Sequence, residues 1–157
     1  MQKISISESI KAGNWYNINT VDYNDNLICT RFTVIGFEPI NSNFAAVNYY
    51  DMFPNYSACD GRFMLLKLVI VNTSKNPVYS AHVRDQFCLI DDEGYSYGCY
   101  PSHGHISCSQ WACENGVANF LVPHNPKIKY HGSIIFLLPN DCSNDLAIVF
   151  NTSTQVI

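Results

Sequence analysis

Apolar and polar positions alternate along much of this chain with a period of two. The runs that do so are short and β-rich, whereas the 3.6-residue period of an amphipathic helix is nearly absent. In "CTRFTVIGFEPI" (29–40), Phe32 and Val34 fall on one face and Arg31 and Thr33 on the other. "RFMLLKLVIVN" (62–72) is apolar on both faces apart from Lys67. That pattern predicts a central strand covered on both sides, or a strand whose outer face is covered by a loop. "NTSKNP" (72–77) reads as a tight connection, and "VYSAHV" (78–83) and "QFCLI" (86–90) as short strands. "DDEGYSYG" (91–98) turns the chain, with Gly94 supplying backbone freedom that other residues lack. "ANFLVP" (118–123), "KIKYHGSIIFLLP" (127–139) and "LAIVF" (146–150) complete the series; in the last, Leu146, Ile148 and Phe150 share one face. Short strands separated by Asn, Gly, Pro and Asp clusters predict an all-β sandwich. Two connections, 41–61 and 98–116, are long enough to imply a purpose or some structure of their own.

Composition narrows the function classes. The 157 residues suit a single domain, 1–157, with no internal repeat. Apolar residues make up 47% and charged residues only 14%, so the chain is globular rather than disordered. Its net charge of −4, with no Lys/Arg cluster, argues against nucleic acid and against an anionic membrane surface as partners. No apolar run approaches the roughly 18 residues of a membrane span, so no membrane insertion is expected. The start, "MQKISISESIKAG", has no hydrophobic signal region. The protein is then either cytosolic or a mature domain whose export signal has been removed. Seventeen asparagines and ten tyrosines fit a surface built for hydrogen bonding and flat aromatic contacts, or simply a compositional bias. Sequons at Asn55, Asn72 and Asn151 matter only in a glycosylating secretory route.

The order of motifs resembles the domain-of-unknown-function family 4352, immunoglobulin-like domains related to a secreted mycobacterial immunoprotective antigen. The family's Gly-led apolar strand ending in Asn corresponds to "GRFMLLKLVIVN" (61–72), followed by the restart "SKNPVYS". Its F-x-L-x-D-x-x-G-x-x-Y element corresponds to "FCLIDDEGYSY", its Gly-led strand closed by Pro to "GSIIFLLP", and its last strand to "DLAIVF". Residues 14–151 carry the resemblance. Two departures stand out: "PKIKYHG" replaces the usual P-G-E/Q turn, and the chain is cysteine-rich. The resemblance implies an immunoglobulin-like antiparallel β-sandwich of about seven to nine strands. It also implies a non-catalytic interaction module of an exported, lipid-anchored or envelope-associated bacterial protein. It transfers no site.

Candidate chemistry concentrates in two places. "CYPSHGHISCSQWAC", from Cys99 to Cys113, holds Cys99, His103, His105, Cys108 and Cys113. These residue types ligate zinc, but the spacing C-x3-H-x-H-x2-C-x4-C lacks a C-x2-C knuckle. A disulfide between Cys108 and Cys113, or involving Cys99, is one alternative; free thiols are another. Cys59 and Cys142, in turns, form a second candidate pair, and seven cysteines leave at least one unpaired within the chain. Cys29 and Cys88 lie in strand-like sequence and read as core. Catalysis finds no support: no G-x-S-x-G elbow occurs, and Cys108 with His103 or His105 meets the requirements of a thiol nucleophile in composition only. "DDEG" is a hairpin turn rather than a calcium loop. In the 41–61 connection, Tyr49, Tyr50, Phe53 and Tyr56 are interface anchors or else fold back over the sandwich. Trp15 reads as core, and Trp111 as a residue that would stack on a sugar.

The expected protein is therefore an extracellular or cell-envelope binding module without catalysis or cofactor, whose partner is another protein or a surface glycan. Its binding residues would be Tyr49, Tyr50, Phe53, Tyr56 and Trp111. The alternatives are a zinc-binding or redox protein using the Cys/His loop, and a cytosolic structural or immunity-type protein.

Overall fold

The computed structural model describes residues 1–22, 24–40, 61–100, 110–142 and 145–150. The elements run β1 (Gln2–Ser5), α1 (Ile6–Ala12), β2 (Trp15–Val21), β3 (Leu27–Pro39), β4 (Gly61–Asn72), β5 (Val78–Tyr79) and α2 (Ser80–Arg84). They continue with β6 (Cys88–Ile90), β7 (Ser96–Tyr100), α3 (Gln110–Glu114), a 3-10 helix (Val117–Leu121), β8 (Pro123–His124), β9 (Lys129–Pro139) and β10 (Ala147–Phe150). Eight strands form one sheet in the order β1-β10-β6-β7-β9-β4-β3-β2, and β5 pairs with β8. All these pairings are antiparallel.

The sheet curls into two layers because β7 serves both. Its first part pairs with β6, through Cys88↔Gly98 and Leu89↔Tyr97. Its last two residues pair with β9, through Cys99↔Phe136 and Tyr100↔Ile135. The layers meet on aromatic rings: Phe32 of β3 contacts Phe150 of β10 and Phe87, each edge-on at 4.9 Å. Ile148 and Leu89 from one layer, and Leu66, Leu68, Ile70 and Ile134 from the other, complete a core closed to water. The all-β sandwich read from the sequence is thus the observed fold.

β4 lies between β3 and β9 and is buried on both faces from Phe63 to Leu66, as its unbroken apolar run requires. Lys67 interrupts the run and pairs with Glu38 at 2.6 Å. In β3 a bulge between Val34 and Gly36 resets the alternation. Phe32 and Val34 point inward before it, and the bulged Ile35 is exposed. In β9, Gly132 lies under the Phe120 ring; a Cβ there would come within 2.8 Å of it.

Two segments depart from the expected strands. "VYSAHV" is a two-residue strand followed by the helix α2, and the "ANFL" part of "ANFLVP" lies in the 3-10 helix. Trp15 is also not in the core: it opens β2 half-buried, on the sheet face opposite Phe32. Among the described residues no helix is long and apolar enough to cross a membrane.

Candidate functional site

Most of the residues singled out by sequence lie outside the described residues. These are Tyr49, Tyr50, Phe53, Tyr56, Cys59, His103, His105 and Cys108. Trp111 sits half-buried on α3 and packs against the core.

The candidate bridges Cys108–Cys113 and Cys59–Cys142 each involve a cysteine outside the described residues. No disulfide joins the described cysteines Cys29, Cys88, Cys99, Cys113 and Cys142 to one another. Their surroundings differ. Cys113 is exposed on α3, whereas Cys99 is half-buried on β7 with its Sγ 3.7 Å from Asp85 Oδ1. Burial pushes the Cys99 thiol up, and Arg84 opposes this in part. Desolvation likewise pushes up the Cys142 thiol, whose sulfur engages Tyr97. Thiols shifted this way are protonated at neutral pH and poor nucleophiles. "DDEG" is the hairpin turn expected: Asp91 Oδ1 accepts from the Glu93 and Tyr95 N–H groups, and its Oδ2 from the Tyr97 hydroxyl at 2.9 Å. Among the described residues no His/Cys/Asp/Glu group is arranged to hold a metal ion.

A cleft of about 730 Å³ opens elsewhere, between the β2–β3 turn and the β4–β5 link. Asp22 builds one wall. Its Oδ1 accepts from the N–H groups of Asn24 (2.8 Å) and Asn26 (2.9 Å), and its Oδ2 from Asn26 Nδ2. Such Asx clasps fix a turn that is otherwise free to flex. Asn26's N–H is the largest influence holding the Asp22 carboxyl below its ordinary 3.8; loss of hydration opposes it, and His82 across the cleft lowers it further.

The link after β4 builds the other wall, and Asn72 holds it from behind. Asn72 is fully buried at the end of β4. Its Nδ2 donates to the carbonyls of Asn76 (2.8 Å) and His124 (2.9 Å), while its Oδ1 accepts from the Ser74 N–H and hydroxyl. This clasp positions Ser74, Asn76 and Pro77 on the rim, and it leaves the Asn72 sequon no free amide in the folded chain. Ile28 and Val78 lie buried in the floor. Tyr79 is 51% exposed, its ring 5.4 Å from that of His82 and edge-on to it. The cleft thus offers amides, a hydroxyl and an exposed aromatic ring on a stiff frame, at a volume typical of small-ligand sites. Sequence shows both clasps as Asx-turn signals, "DYNDN" and "NTSKNP", but not that they face each other.

The fold places the chain among all-β sandwiches. No family profile matches the chain, and no curated protein does. Among solved structures it is similar to MPT63, a secreted protein of Mycobacterium tuberculosis, with TM-score 0.50 and 11% identity over 88% of this chain and 86% of that one. A functionally unknown protein from Listeria monocytogenes EGD-e aligns at TM-score 0.39 and 18% identity, over 92% of this chain and 79% of that one. The likeness to MPT63 concerns the fold alone.

Proposed function

We propose that this chain is a non-catalytic binding module, exported or held at the cell envelope, whose Asn-rich cleft takes an uncharged, hydroxyl-rich ligand of the kind a surface glycan presents. The observation that carries this reading is the pair of opposed Asx clasps, which hold polar side chains and the exposed Tyr79 ring around one cleft. Amides match sugar hydroxyls as donors and acceptors, and an aromatic ring supports the apolar face of a pyranose. Rigid walls reduce the entropy lost on binding. The motif order resembling family 4352 and the sandwich shared with a secreted protein support the location and the absence of catalysis.

Neutral oligosaccharides, screened on an array and followed by calorimetry, test the reading. A bound glycan should lose at least tenfold in affinity in Tyr79→Ala, at unchanged melting temperature. Absence of any neutral glycan ligand, or equal binding by Tyr79→Ala, would refute it.

A further inference from the structure

The outer face of the β2-β3-β4-β9 part of the sheet carries a second, different surface. Register places Trp15, Thr33 and Val69 in one row across β2, β3 and β4. Asn17, Arg31, Val71 and Lys129 form the adjacent row. Phe32, between Arg31 and Thr33 in sequence, is buried in the core, so both rows face away from it. The Arg31 guanidinium lies 5.6 Å from the centroid of the Trp15 ring, and the Lys129 ammonium 5.7 Å. Lys129 belongs to the third strand from Trp15, about 14 Å of sheet away. The indole therefore lies across the face to meet it, over Thr33 and Val69, which are only 8% and 9% exposed.

Arg31 and Lys129 are exposed, and among the described residues neither has an acidic partner. Lys67, on the same face, is by contrast neutralised by Glu38. In a chain of net charge −4, two unpaired cations set against one half-buried indole are a local exception. Contact with the ring orients both head groups without using any of their N–H donors, which stay available for an anion.

We propose that this face binds an acidic polysaccharide. Its carboxylates sit on Arg31 and Lys129, which the Trp15 ring holds in place, and its hydroxyls meet Asn17. This site is independent of the cleft. Charge density selects among polyanions. Duplex DNA presents one charge per about 1.7 Å, which two cations on an acidic protein do not match. A polyuronate carries its carboxylates a sugar ring or more apart, suited to cations on strands two apart, about 9.5 Å. An acidic peptide would gain most from a free sheet edge, where its backbone can pair; Arg31 and Lys129 stand on the interior strands β3 and β9.

The test is titration with polygalacturonate. In Trp111→Phe, Trp15 is the only indole left and its emission reports binding. Calorimetry on the unsubstituted protein gives the same answer should that variant fail to fold. Saturable binding is expected, lost at high salt and absent with neutral dextran. The double variant Arg31→Gln, Lys129→Gln should bind at least tenfold more weakly at unchanged melting temperature. The cleft is read separately, on neutral glycans with Tyr79→Ala, so the two can fail independently. The proposal is overturned if polygalacturonate does not bind, if the double variant binds equally, or if polyglutamate or duplex DNA binds as tightly.

Discussion

Asn72 uses all four side-chain hydrogen-bonding positions inside the protein: two donors to the Asn76 and His124 carbonyls, and one oxygen accepting twice from Ser74. It ends β4, the strand buried on both faces, and fixes the rim of the cleft at once. Removing its amide takes one of the hydrogen bonds from the buried His124 carbonyl, which keeps its strand partner Val78, and frees the 73–77 link. Each of the four hydrogen bonds so lost costs about 0.5–1.5 kcal/mol. Asn72→Ala is therefore expected to destabilise by about 2–4 kcal/mol, read as a lower urea midpoint. Glycan affinity at the cleft should fall with it. An unchanged midpoint would show the clasp to be dispensable. Sequence marks this asparagine as the end of an apolar run. Its purpose is hidden, because one partner, His124, lies far along the chain and arrives only through the fold.

At the scale of elements, legibility follows length and period. β3, β4, β9 and β10 could be read because burial imposes alternation, or continuous apolarity, over many residues. α1 went unread although its ends carry a signal: Ser5 caps it by accepting from the Glu8 N–H, and Gly13 ends it at φ 65°. α2 and the 3-10 helix escape, since five residues hold too little periodicity to overrule their β-branched and aromatic content. The joint between the 3-10 helix and β8 has a consequence for pH. His124 Nε2 is 2.9 Å from the Asn119 carbonyl and so must donate to it; its Nδ1 is buried without a partner among the described residues, and the ring stacks on Tyr130 at 4.0 Å. Burial lowers the His124 pKa from its ordinary 6.5, against a smaller opposite influence of that carbonyl. A group depressed on folding contributes its full stability above its unfolded value and loses it as pH falls through and below that value. The melting temperature should thus decline from pH 7.5 to 5, before carboxylates titrate. His124→Gln, which keeps a donor for Asn119, should flatten that decline. An equal decline in the variant would assign it to other groups.

The whole molecule depends on how two layers of one curled sheet are joined, and the cleft and the cationic face inherit their positions from that joint. Neither surface could be read from sequence. The cleft pairs turns from separate parts of the chain, and the cationic patch gathers residues from three strands by register alone. The joint itself was partly visible, as the inward positions Phe32 and Phe150. Phe32 is fully buried and touches Tyr16 from its own layer and Phe150 and Phe87 from the other side of the core. Truncating it removes the ring that three aromatic neighbours share and leaves a void that strands paired on both sides cannot readily collapse into. Phe32→Ala is expected to cost about 3–5 kcal/mol, which for a chain of this size lowers the melting temperature by roughly 10 °C. Because the two layers belong to one hydrogen-bonded sheet, the loss should appear as a shifted urea midpoint at constant slope, in a single cooperative transition. Two separated transitions would instead show that the β1-β10-β6 side melts apart from the β9-β4-β3-β2 side. In that case the aromatic contacts, rather than the continuous sheet, are what couple the two layers.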